Sequence, residues 1–110
     1  MLDEHRVASR VDIVEGMSGQ PQVTDSIRRR LNGQSVDLLL IDAAGNVDRD
    51  YSLYRPFLAP HAVIVCDDYT HEGALSKQAP VRLWVDKACR EGLVRDLGVY
   101  QWGTWFGQLT

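Results

Sequence analysis

The sequence predicts an α/β fold: a mostly parallel sheet with helices on its faces and an antiparallel pair at one edge. Three observations lead there. Short apolar runs alternate with segments whose apolar residues recur at helical spacing, several runs end in glycine or acidic residues, and the last two runs are joined by a link too short for a crossover.

Taken in order, Ser9 to Gly16 (SRVDIVEG) carries Val11 and Ile13 in alternation and stops at glycine, which suits a short strand. In QPQVTDSIRRRLNG, Val23, Ile27 and Leu31 repeat every four residues. Pro21 suits a first helical turn, and Gly33 is expected as the C-terminal cap. The run SVDLLLIDAAG, apolar at Val36 and from Leu38 to Ile41, has the composition of a strand covered on both faces. VDRDYSLYRPFLAP sets Tyr51, Tyr54 and Leu58 on one helical face, with Pro56 weakening the second turn and Pro60 ending it. Ala62 to Cys66 forms the next strand. After the polar loop THEGALSKQ, Pro80 opens a helix that buries Val81, Trp84, Val85 and Ala88 and stops at Gly92. LVRDLGVYQW and TWFGQL, separated by Gly103, pair as an antiparallel hairpin. Within it, Trp102, Trp105 and Phe106 suit a core or an interface.

At 110 residues the chain is expected to be one domain, 1–110, large enough to bury roughly two-thirds of its unfolded surface. Its apolar runs fall short of the ~20 residues of a membrane span, and its charged start lacks a secretory apolar region, so a cytoplasmic location is expected. A net charge of −3 argues against a nucleic-acid partner, which calls for a clustered basic surface. The cluster Arg28, Arg29 and Arg30 instead complements the carbonyl end of its helix. Cys66, in a strand, and Cys89, on an apolar helix face, are read as reduced core thiols.

The chemistry-bearing residues gather at strand ends. In a parallel sheet the carboxyl ends of the strands share one rim, where ligands bind. Asp42 ends one apolar run, and Asp67 with Asp68 end the next. Asp67 and Asp68 can converge only if the chain turns immediately after Cys66, because successive strand residues face opposite ways. Two readings stand. Each aspartate alone could accept hydrogen bonds from loop or helix backbone. Together they form an oxygen-only set suited to magnesium, calcium or manganese. His71, a few residues on, is a candidate general base, with an unperturbed pKa of ~6.5, or a plain loop histidine. His5 and His61 are assigned no role. Receiver domains also combine an aspartate pair with a lone aspartate, but there the pair comes first, and here Asp42 precedes it.

With that order, VDLLLIDAAGNVDRDYSLYRPFLAPHAVIVCDDYTH resembles the second half of class I S-adenosylmethionine-dependent methyltransferases. More narrowly, it resembles the group of macrocin-type sugar O-methyltransferases and cephalosporin-hydroxylase-like proteins. EHRVASRVDIVEGMS is similar to the end of the helix and the third strand before that region, and GVYQWGTWFGQL to the final antiparallel pair. The resemblance implies a truncated Rossmann-like methyltransferase sheet and S-adenosylmethionine as cofactor, with Met17, Ser18 and Asp42 on the cofactor side. It further implies a divalent cation such as magnesium on Asp42, Asp67 and Asp68, and a small-molecule methyl acceptor.

The chain departs from that family at several positions. It has no Gly-rich turn after a first strand and no acidic residue ending a second. Ala43-Ala44 stands for the usual Gly and acidic pair, and Pro60-His61-Ala62 for Pro-Gly-Gly. Two functions follow as expectations. One is half of an O-methyltransferase, incomplete for cofactor binding by itself. The other is a non-catalytic α/β binding or interaction module, five-stranded, with its first strand closed up beside the second. In either case the flank of Val36 to Ile41 would need cover, by a missing amino-terminal half, a homodimer or that closing-up.

Overall fold

The computed structural model of the chain describes residues 10–42, 46–69 and 78–110. Its elements run α1 (Pro21–Leu31), β1 (Val36–Ile41), α2 (Val47–Tyr54), β2 (Leu58–Cys66), α3 (Gln78–Arg90), β3 (Val94–Tyr100) and β4 (Thr104–Leu109). The four strands form one sheet in the order β1-β2-β4-β3. β1 and β2, joined through α2, are parallel, with Leu38 to Ile41 in register with Val63 to Cys66. β4 then runs antiparallel to both β2 and β3.

Alternation along the strands decides which side is buried. Ile41, Ile64, Cys66 and Trp105 meet Val47 and Tyr51 of α2 and Val81, Trp84, Val85 and Ala88 of α3 in one apolar core. Aromatic rings bind it together: Trp84 lies 5.0 Å from Tyr51 and 6.3 Å, edge to face, from Trp105 between ring centroids. The buried indole of Trp105 keeps its N–H satisfied by donating to Asp96 Oδ1 at 3.2 Å. Gly107 makes that packing possible, because a Cβ there would stand 2.1 Å from the indole.

Five expectations from the sequence are corrected. Residues 11–15 form no strand, and Ile13 is 75% exposed. Alternation makes a strand only where a neighbour supplies the ladder, and here this segment runs beside α1, with Asp12 3.7 Å from Arg30. It does not close up beside β1, so the sheet has four strands and not five. β1 is not covered on both faces, since Leu38 and Leu40 are 55% and 59% exposed. Asn32, at φ 50°, takes the left-handed cap of α1 ahead of Gly33. Finally, the second helix stops earlier than its apolar spacing suggests. Pro56 sits in a 3-10 turn over Arg55–Phe57, and Leu58 and Pro60 already belong to β2.

Candidate metal centre at the strand rim

The parallel pairing of β1 and β2 builds the site. Ile41 and Cys66 are ladder partners, so the residues that follow them, Asp42 and Asp67, emerge side by side at the same rim. The Asp67 amide donates to the Ile41 carbonyl at 3.4 Å, carrying the ladder one step past Cys66. Asp68 adopts φ 64°, a left-handed conformation in which Asp is better tolerated than most residues. That turn brings its carboxylate back toward the other two, as the sequence required. One carboxylate oxygen each from Asp42, Asp67 and Asp68 lies within 4.8 Å of the others. Asp42 is exposed, and the other two are half-buried.

Neighbouring elements hold this turn. Thr104, opening β4, donates its hydroxyl to Asp67 Oδ1 at 3.1 Å. The Tyr69 amide donates to the Gly103 carbonyl at 2.9 Å, so the tip of the β3–β4 hairpin stands beside the acids. The Tyr69 phenol donates to Asp86 of α3 at 2.8 Å, and the Arg82 guanidinium lies over its ring, 5.3 Å from the centroid. Burial, then the bond to Asp86, pushes the Tyr69 phenol pKa up. Directly before the acids, burial in the core pushes the Cys66 thiol to about 12, which makes it a neutral core residue, as its sequence context suggested.

Met17 and Ser18 lie in the turn before α1, where Met17 is exposed and its amide donates to Gln20 Oε1 at 3.3 Å. The Ser18 hydroxyl donates to Asp50 Oδ1 at 2.9 Å, and its carbonyl accepts from the Tyr54 hydroxyl at 2.9 Å. Arg49 joins through both Asp50 Oδ1 and Ser18 Oγ, each at 3.1 Å from Nη2. The turn is therefore tied to α2, the helix that follows Asp42 in the chain. Asp50 is buried, and sequence reading missed it because its spacing marks it only as a polar residue of α2. Thr104 and Tyr69 were missed for a related reason: their partners are far off in the chain. His71, His5 and the Ala43-Ala44 pair lie outside the described residues.

Three carboxylate oxygens this close are a hard donor set of the kind a divalent ion takes. The fold defines a class, a Rossmann-like α/β sheet with helices packed on it. A family model described as a methyltransferase domain matches residues 1–69, and the chain belongs to that family. Three solved structures share the fold. A candidate caffeoyl-CoA O-methyltransferase from Staphylococcus aureus superposes with a TM-score of 0.73 at 15% identity, over 99% of this chain and 56% of its own. An O-methyltransferase from Bacillus cereus in complex with SAH gives 0.67 at 15%, over 99% and 54%. A candidate O-methyltransferase from Klebsiella pneumoniae gives 0.66 at 18%, over 99% and 53%. The chain thus spans about half the length of the solved structures it matches. No curated protein matches it.

Proposed function

We propose that this chain is the metal-binding, acceptor-side half of an S-adenosylmethionine-dependent O-methyltransferase acting on a small molecule. The observation that carries the reading is the convergence of Asp42, Asp67 and Asp68 within 4.8 Å at the rim of a methyltransferase-family sheet. These three side chains would hold a divalent cation such as magnesium. When bound, such a cation supplies Lewis acidity for neighbouring oxygens of an acceptor, so an acceptor with vicinal oxygens suits it best. Met17 and Ser18, with Asp42, would contribute to the cofactor side, and His71 is the candidate base. The missing Gly-rich turn makes the cofactor site incomplete in these residues, so activity calls for a second polypeptide or further chain. Among the described residues no helix is long and apolar enough to cross a membrane.

The test is calorimetric titration with manganese, then with S-adenosylhomocysteine in the presence and absence of the ion. Saturable manganese binding that disappears in Asp67→Asn is expected. Equal binding by wild type and Asp67→Asn would remove the metal centre. Micromolar binding of S-adenosylhomocysteine, about −8 kcal/mol, would show that the cofactor pocket is rebuilt within the chain or its oligomer. The exposed leucines of β1, together with the missing motif, favour a second reading: a non-catalytic interaction module, for which neither ligand binds.

A further inference from the structure

Asp68 is the carboxylate of the rim that sheet pairing does not place. Asp42 and Asp67 emerge from paired strands, whereas Asp68 reaches them only through its left-handed backbone, at φ 64°. A residue with a side chain keeps that conformation where its surroundings fix the chain on both sides. Before Asp68 the fixing is done by the ladder, which runs on to the Asp67 amide, and by Thr104 on the Asp67 carboxylate. After it the fixing falls to Tyr69. Its amide donates to the Gly103 carbonyl at 2.9 Å, its carbonyl accepts from Arg82 Nε at 3.3 Å, and its ring lies under the Arg82 guanidinium. Its phenol donates to Asp86 Oδ1 at 2.8 Å, a bond between two half-buried side chains with a carboxylate as acceptor, the stronger kind of hydrogen bond.

We propose that Tyr69 is a positioning residue of the metal centre: through the bond from its phenol to Asp86, α3 holds Asp68 in its left-handed turn and sets how tightly the three acids take a divalent cation. The inference rests on the metal-centre reading above and adds a helix that supplies none of the three ligands. Linkage makes the relation two-way, since an ion that favours the turn also favours the attachment of Tyr69 to α3. Releasing the phenol leaves the body of the fold in place, because Val81, Trp84, Val85 and Ala88 bind α3 to the core independently of Asp86. Asp86 also carries a charge that acts on a nearby cation at a distance. Asp86→Asn separates the two effects, because the amide oxygen still accepts from the phenol while the charge is gone.

Calorimetric titration of the 110-residue chain and its variants with manganese tests it. Tyr69→Phe and Asp86→Ala are each expected to weaken binding about 10-fold, the usual effect of losing a partner that orients a ligand. The double variant should be no weaker than either, because both changes break one bond, whereas two independent structural losses would add. Asp86→Asn should stay close to wild type, and circular dichroism spectra should be unchanged throughout. Wild-type affinity in Tyr69→Phe overturns the inference and leaves the metal centre standing. Losses that add in the double variant, or an Asp86→Asn as weak as Asp86→Ala, overturn it in the same way. A wild-type chain that binds no manganese overturns the metal-centre reading, and this inference with it.

Discussion

Asp67 accepts a hydrogen bond from Thr104 and also brings a carboxylate oxygen to the acidic group, so the two residues should be separable by mutation. Thr104→Val keeps the shape of the side chain and removes the donor that orients the carboxylate. Manganese affinity is expected to fall about 10-fold or more with the fold intact, and an unchanged titration would deny Thr104 that role. At Tyr51 the expectation runs the other way. Its hydroxyl is buried without a hydrogen-bond partner among the described residues, so Tyr51→Phe should leave the urea midpoint unchanged or raise it, by up to about 1 kcal/mol. Cys66 sets a pH dependence whose sign is fixed. Its pKa rises on folding from an ordinary 9.0 to about 12 because burial disfavours the thiolate. The stability this contributes is complete below pH 9 and is lost as pH climbs toward 12. Denaturant midpoints measured across that window should decline, and Cys66→Ala should flatten the decline.

Among the elements, β4 depends most on one small residue. Gly107 leaves room for the indole of Trp105, and Gly107→Ala forces backbone or ring to move, at about 1–3 kcal/mol by the usual penalty for overpacking. Thermal melts of that variant check the figure. Both helical faces and the hairpin were legible in the sequence because each rests on local spacing, as in Val81, Trp84, Val85 and Ala88, or on a link too short to cross over. Residues 11–15 and the outer face of β1 were not, because periodicity records what a residue could pair with and not whether a partner is present. Val11 and Ile13 alternate as a strand would, yet no neighbour offers them a ladder among the described residues.

For the whole molecule, convergence of the acids was legible because topology alone decides it. Parallel strands end at one rim, and Asp42 and the Asp67-Asp68 pair each follow an apolar run. What held the turn was not legible, since Thr104, Gly103, Asp86 and Arg82 reach it from far along the chain. The same reach makes the molecule self-reporting. Gly103 and Thr104 bind the acidic turn directly, and Trp102, 86% exposed, sits next to them at the hairpin tip. A paramagnetic ion settling among the aspartates would therefore quench an indole that the chain already carries, so occupancy can be followed by emission without a label, and Trp102→Phe should remove the quenched fraction.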